Sequence, residues 1–142
     1  MEKANSTTSA ARLRRVITRL NRRLRNSALG GISPAQASML ATIENRDSPA
    51  LGELASAEQI QPPSVTRIVQ NLEQAGLLES WQDPEDRRCT RVRLTDAGHL
   101  ELELIRQRKT EFIERKLLAM SPADQSKAEE LVEFLERLLE ES

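Results

Sequence analysis

The sequence predicts a mainly α-helical fold with a small β-hairpin, a winged helix-turn-helix between long N- and C-terminal helices. Three observations support this prediction. Apolar residues recur at helical spacing along most of the 142 residues, and strict two-residue alternation is confined to segment 90–95. A short helix, a tight connection and a polar-faced helix precede that segment. Aromatic residues make up only 2% of the chain, so a core of Leu, Ile, Val and Ala is expected, which suits packed helices.

The outer parts of the chain are predicted to be a disordered lead-in and two helical regions. Residues 1–9 form the lead-in, and residues 10–32 form the first region. Its apolar stripe consists of Leu13, Val16, Ile17, Leu20 and Leu24. Residues 100–142 form the second region, which continues a long helix capped by Thr95-Asp96 and includes a last helix started by Ser121-Pro122. The apolar face of that last helix consists of Ala128, Leu131, Val132, Leu135, Leu138 and Leu139.

Residues 33–99 are predicted to form the winged helix-turn-helix domain. Ser33-Pro34 and Ser48-Pro49 each offer an N-cap and a first-turn proline, which predicts the starts of the second and third helices. The fourth helix is predicted from about Pro63 to Ala75, with Gly76 as its C-cap. Its buried face consists of Val65, Ile68, Val69 and Leu72, spaced as i, i+3, i+4 and i+7.

A hairpin is predicted directly after the fourth helix. Its strands lie at Leu77–Gln82 and Thr90–Thr95, and the second alternates polar and apolar residues as a half-buried strand does. The turn-rich segment Asp83–Arg88 connects them. This hairpin is the wing of the predicted fold.

The polar face of the fourth helix has residue types that read base edges in the major groove of double-stranded DNA. Arg67 can donate two hydrogen bonds to guanine, and Thr66 can offer a hydroxyl and a methyl group. An isolated helix of this kind is more often a solvated surface, but the preceding helix and the following wing favour DNA binding. The candidate recognition residues are Ser64, Thr66, Arg67, Gln70 and Asn71.

The wing offers a second set of candidate DNA contacts: Arg87, Arg88, Arg91 and Arg93. The first two lie at or near the tip, and narrow A·T-rich minor grooves attract arginine. Asp83 and Asp86 are expected to orient the tip arginines by ion pairing. The last two alternate along the returning strand and are expected to face phosphates or solvent. The alternative is a salt-bridged surface turn with no DNA role.

The distribution of charge suits DNA binding better than the net charge of −1 suggests. Residues 1–30 contain eight basic residues and one acid, whereas residues 121–142 contain seven acids and two basic residues. Whole-chain charge therefore hides oppositely charged ends, and DNA responds to the local field.

Catalysis and cofactor binding have little support in the sequence. His99 is the only histidine and Cys89 the only cysteine, so no Cys/His metal cluster and no internal disulfide can form. Cys89 is expected to be an inert strand cysteine, with a redox role as the alternative. The chain is predicted not to be an enzyme and to need no cofactor or metal. Without a secretory signal or an apolar run of roughly 18 residues, it is predicted to be cytoplasmic and free of membranes.

The outer helices predict a homodimer. They lie outside the winged core and carry long apolar faces, which a monomer would leave in water. Packing against a twofold-related copy buries both faces at once. The two recognition helices are then expected to reach major grooves roughly 34 Å apart.

Three segments of the chain resemble the MarR family of bacterial transcriptional regulators: Ser64–Arg67, Asp83–Arg88 and Leu94–Gly98. The resemblance extends from about residue 10 to residue 140. It implies a homodimer that interlocks through its first and last helices and binds a pseudo-palindromic DNA operator. Many members are repressors that small organic ligands or oxidants release from DNA. Their ligand pocket usually lies between the dimerisation helices and the DNA-binding lobe.

Departures from the family's sensing patterns narrow the expected signal. The first helix has no cysteine of the kind that peroxide-sensing members use, and His99 alone cannot form a zinc site. An organic ligand or no ligand is left, and an unidentified organic effector is the default, although a chain without tyrosine and with few aromatic residues offers little for a flat phenolic ligand to stack on. The favoured function is therefore a sequence-specific DNA-binding regulator, a repressor relieved by a small organic ligand. The alternative is a winged-helix protein-interaction module without specific DNA binding.

Overall fold

The computed structural model describes residues 2–140. It confirms the prediction of a mainly α-helical fold with one antiparallel β-hairpin. The elements follow in the order α1 (Glu2–Ala28), α2 (Pro34–Glu44), α3 (Leu51–Glu58), α4 (Pro62–Gln74), β1 (Leu78–Gln82), β2 (Thr90–Leu94), α5 (Asp96–Leu118), α6 (Pro122–Gln125) and α7 (Ala128–Glu140).

Both outer regions differ from the prediction in their bounds. Helix α1 begins at Glu2, so the stretch predicted as a disordered lead-in over residues 1–9 is helical from there on. This stretch contains neither glycine nor proline, and extending a helix costs far less than nucleating one. At the other end, Ser121 caps a helix as predicted, but that helix stops after one turn and resumes at Ala128. Met1 and residues 141–142 lie outside the described residues.

The two Ser-Pro pairs have different roles. Ser33 caps α2 in a reciprocal capping box with Gln36, as predicted. Ser48 does not cap α3, which begins after Ala50 without a side-chain cap. The reason is non-local, because residues 48–50 lie along the free edge of β2. There the carbonyl oxygen of Pro49 accepts from the backbone N–H of Val92 at 3.1 Å, and Ala50 forms a bridge with Arg91.

The hairpin is in register from Leu78 opposite Leu94 to Gln82 opposite Thr90. Its inner face and α2 to α5 enclose one apolar core. The core consists of Met39, Leu40, Ile43, Leu54, Val65, Val69, Leu72, Leu78, Val92, Leu94 and Leu102. This packing places α4 and the wing side by side on one side of the core.

The start of α5 is held against the turn between α4 and β1. Thr95 caps α5 by accepting from the backbone N–H of Gly98 at 3.1 Å, and its hydroxyl donates to the carbonyl oxygen of Gly76 at 2.6 Å. The carbonyl oxygen of Leu77 accepts from the backbone N–H of Thr95 at 3.1 Å. The first turn of α5 therefore lies directly against this backbone, which leaves little room at Gly98.

Candidate nucleic-acid interface

Helix α4 has the two faces that the sequence predicts. Val65, Val69 and Leu72 are buried, and Ile68 is half-buried against the same core. The helix runs from Pro62 to Gln74, within one residue of the predicted bounds at each end. Because its apolar side chains anchor it to the core, the opposite face projects as a rigid polar surface.

The candidate recognition residues differ in how free they are. Arg67 is exposed and has no hydrogen-bond or ion-pair partner within residues 2–140. Gln70 and Asn71 are also exposed, one turn later. The hydroxyl of Thr66 donates to the carbonyl oxygen of Pro62 at 3.1 Å, and Ser64 is half-buried. Arg67 is thus the recognition residue whose donors are most available to a partner, and its DNA contact stays a prediction.

The wing turn is shaped by its own carboxylates. Asp83 accepts from the backbone N–H of Glu85 at 2.8 Å, and Asp86 accepts from that of Arg88 at 3.1 Å. Arg87 and Arg88 are exposed, and the side chain of Arg88 is 96% exposed. The ion pair between Arg88 and Asp86 is long, 3.6 Å, and solvent weakens such pairs. Both tip arginines therefore remain open to a polyanion.

The prediction that Asp83 orients the tip arginines is wrong. Asp83 instead accepts from Nε of Arg91 at 2.7 Å, where the two strands of the hairpin enter the turn. Nη1 of Arg91 donates to the carbonyl oxygen of Ser48 at 2.9 Å. Arg91 thus lies on the same side of β2 as Arg93, but its partners within the protein hold it and tie the wing to the start of α3, which departs from its expected orientation towards phosphates or solvent. The physical reason is that Asp83 and Arg91 lie on facing sides of the hairpin, whereas the tip points away.

Arg93, on the outer side of β2, also has partners within the protein. It pairs with Glu79, its cross-strand neighbour, and its guanidinium lies 5.2 Å from the centre of the Trp81 ring. Any contact with a phosphate has to compete with these two interactions.

The side chain of Glu73 joins the recognition helix to the wing. It accepts from the hydroxyl of Ser80 at 2.7 Å and from the Ser80 backbone N–H at 3.2 Å. No sequence signal marks this pair, because Glu73 appears only as a polar position on α4. Its effect is to fix the angle between the two elements proposed to contact DNA.

The ion pair between Asp83 and Arg91 predicts that the stability of the fold depends on pH. The hydrogen bond from Arg91 holds the pKa of Asp83 below its ordinary value. A lowered pKa stabilises the fold above the unfolded-state pKa, about 4, and this contribution is lost as the pH falls through the folded-state value. We expect Asp83→Asn to melt below wild type at pH 7, with a difference that shrinks towards pH 3. Glu85→Gln, on the same turn, is the control. If Asp83→Asn melts below wild type by the same amount at pH 7 and at pH 3, the prediction is wrong.

A cleft of about 460 Å³ lies between α1, α2 and α5, away from the recognition helix. The cleft is lined by the apolar residues Ala37, Leu102 and Ile105 and by three basic residues, Arg25, Arg106 and Lys109. Glu58 also lines the cleft, and its carboxylate accepts from the hydroxyls of Ser38, at 2.8 Å, and Thr42. Among the residues that the structure describes, no aromatic side chain lines the cleft. Two apolar walls and an excess of positive charge suit a small amphipathic anion.

Metal-binding and membrane-spanning features are absent from the part of the chain that the structure describes. No group of His, Cys, Asp and Glu within residues 2–140 is arranged to hold a metal ion. None of the described helices is long and apolar enough to cross a membrane.

Comparison with known proteins identifies the family. Residues 32–90 match the model of the MarR family. The chain is 31% identical to the HTH-type transcriptional regulator YdgJ of Bacillus subtilis, over 78% of this chain and 66% of that protein. It is 33% identical to the HTH-type transcriptional repressor MdtR of the same organism, over 51% of this chain and 47% of that protein.

A solved structure agrees with this match over almost the whole chain. The transcriptional regulator Tm0710 of Thermotoga maritima superposes with a TM-score of 0.78 at 25% identity, covering 92% of this chain and 95% of that one. The winged fold, the polar helix beside the wing and these likenesses lead to one conclusion: the chain belongs to the MarR family of DNA-binding transcriptional regulators.

Proposed function

We propose that this protein binds a pseudo-palindromic DNA operator as a homodimer and represses transcription until a small organic ligand occupies its cleft. The observation that carries the proposal is the surface formed by α4 and the wing tip. On that surface Arg67, Arg87 and Arg88 are exposed, and Arg67 and Arg87 have no ion-pair partner within residues 2–140. A repressor role has support from the name of MdtR.

The dimer is proposed from the apolar surface of the outer helices. Val16, Ile17 and Leu20 on α1 are 58%, 47% and 41% exposed in the single chain. Helix α7 has no buried residue, although it carries Leu131, Val132, Phe134, Leu138 and Leu139. Exposed apolar surface of this extent marks an association site. Sedimentation at micromolar concentration should give one species near twice 16.0 kDa, and a stable monomer would contradict the proposed assembly.

The function is tested by DNA binding at physiological salt. Fluorescence anisotropy with the DNA upstream of the protein's own gene, against random DNA of equal length, measures specificity. We expect at least about 1000-fold tighter binding to the operator, as is usual for sequence-specific regulators. Equal binding to both DNAs would remove the main support for the proposal and favour the protein-interaction module.

The wing is expected to supply part of the salt dependence of binding. Replacing both Arg87 and Arg88 with Ala should weaken operator binding and reduce the slope of log K against log salt by about one for each phosphate that the variant fails to reach. Glu85→Gln, on the same turn, is the matched control and should leave the slope unchanged or slightly steeper. A double variant with the wild-type slope would show that the wing tip does not touch DNA.

A further inference from the structure

The wing is held to the rest of the protein along both of its edges. At the β2 edge, residues 48–50 lie along the strand, and the carbonyl oxygen of Pro49 accepts from the backbone N–H of Val92 at 3.1 Å. At the β1 edge, Oε1 of Glu73 on α4 accepts from the hydroxyl and the backbone N–H of Ser80. Within the part of the chain that the structure describes, these are the two hydrogen bonds that join β1 to an element other than β2. The polar attachment of that edge therefore depends on one carboxylate.

The position of Ser80 makes this contact the outermost one on β1. Ser80 lies opposite Val92 and two residues after Leu78, so its side chain is on the inner face of the hairpin. Alternation favours an apolar residue there, and a serine fits because Glu73 accepts from its hydroxyl at 2.7 Å. Among the described residues, none from 81 to 91 belongs to the apolar core. The turn with its two exposed arginines therefore projects beyond this contact, and a small rotation at the contact displaces the turn.

The charge of Glu73 works against DNA binding. Glu73 is exposed, and it lies on the same helix as Arg67. A carboxylate at such a surface repels the phosphates of DNA. If Glu73 acted through its charge alone, its removal would tighten binding. If its hydrogen bonds position the wing, its removal weakens binding, so the two effects have opposite signs.

Resting on the DNA binding of the proposed function, we propose that Glu73 is a positioning residue for the wing. Its two bonds to Ser80 hold the hairpin at the angle at which Arg87 and Arg88 reach the duplex that α4 occupies. Without these bonds the hairpin is held along its β2 edge only, and the tip turns about that edge. Helix α4 stays in place, because its apolar face is anchored in the core. Loss of the carboxylate therefore removes the contacts of the wing tip and keeps those of Arg67.

The role of Glu73 is tested by comparing Glu73→Gln with Glu73→Ala. Both variants remove the same charge, and both replacements are good helix formers. Glutamine keeps a side-chain oxygen that can accept from Ser80, whereas alanine has none. In anisotropy titrations with the operator, the Gln variant should bind as tightly as wild type or more tightly. The Ala variant should bind about 5-fold or more weakly than the Gln variant. Its slope of log K against log salt should also be smaller by about one for each phosphate lost. Equal affinities or equal slopes of the two variants would overturn the proposal.

A second comparison tests whether Glu73 acts through the wing tip. The same two variants are made in a chain that also carries Arg87→Ala and Arg88→Ala. In this background they should bind the operator equally, within about twofold, because no tip contact remains to be lost. If the Ala variant loses the same factor in both backgrounds, Glu73 acts on the domain as a whole and the positioning role is wrong.

Ser80→Ala tests the other partner of the bond. It removes the hydroxyl and suits a half-buried position, so it should weaken operator binding in the same direction as Glu73→Ala. The double variant should lose no more than Glu73→Ala alone, because the two residues act as one unit. Fully additive losses would overturn the pairing. If wild type does not prefer the operator, the proposed function fails. The comparison of Gln and Ala variants on random DNA then still tests the role of Glu73, because phosphate contacts need no particular sequence.

Discussion

Gly98→Ala should lower the free energy of unfolding by about 2–4 kcal/mol, the largest stability change expected from a single methyl group in this chain. A Cβ at this position would lie 2.1 Å from the carbonyl oxygen of Leu77 and 3.4 Å from Cβ of Leu94. The first neighbour is backbone, held in place by the N–H of Thr95, so it cannot turn aside as a flexible side chain would. Relieving the clash requires α5 to move away from the turn between α4 and β1.

The measurement is thermal or urea unfolding at a fixed protein concentration, because dimerisation would contribute to apparent stability. Gly52→Ala is the matched control. Gly52 also lies in a helix, α3, but a Cβ there meets no atom within 4 Å. This control should be neutral or gain up to about 1 kcal/mol from higher helix propensity. Equal stability of the two variants would show that α5 and the backbone at Leu77 can move apart at little cost.

Arg67→Ala should weaken operator binding by about 1–3 kcal/mol, roughly 5- to 150-fold in Kd, and relax specificity at one base pair. The expectation follows from an exposed guanidinium on the polar face of α4 that has no hydrogen-bond or ion-pair partner among residues 2–140. Binding to DNA therefore breaks no hydrogen bond or ion pair of Arg67 with another described residue. Anisotropy titrations with a panel of single-base operator variants measure both effects.

Arg67→Lys distinguishes reading a base from holding a phosphate. Lysine keeps the charge but cannot form the planar two-pronged hydrogen bond to guanine. A base contact predicts that this variant loses specificity while its salt slope stays at the wild-type value. If it binds the whole panel as wild type does, Arg67 contacts a phosphate and the assignment as a base reader is wrong.

Local patterns predicted most of this fold. The helical spacing of Val65, Val69 and Leu72 predicts both the extent and the buried face of α4. The alternation over residues 90–95 likewise predicts β2. Both signals are local, because the spacing of apolar residues along a short segment predicts both the type of element and its buried face. The polar surface beside the wing follows from them directly.

The errors that concern polar contacts share a non-local cause. Ser48 has the local chemistry of an N-cap, yet its carbonyl oxygen bonds to Arg91 on β2, 43 residues later in the chain. Asp83 is close in sequence to the tip arginines, yet the hairpin brings Nε of Arg91 within 2.7 Å of its carboxylate. The bond from Ser80 to Glu73 likewise depends on how α4 meets β1. The tertiary structure determines which polar groups form pairs, and the composition of the chain does not reveal these pairs.

Trp81 is the only tryptophan in the chain, which contains no tyrosine. It lies on β1, half-buried, beside the guanidinium of Arg93. Emission from the native protein, excited beyond the absorption of phenylalanine, therefore comes from the wing alone. The molecule carries its own optical probe within the wing, so binding of DNA can be followed there in real time, without a dye.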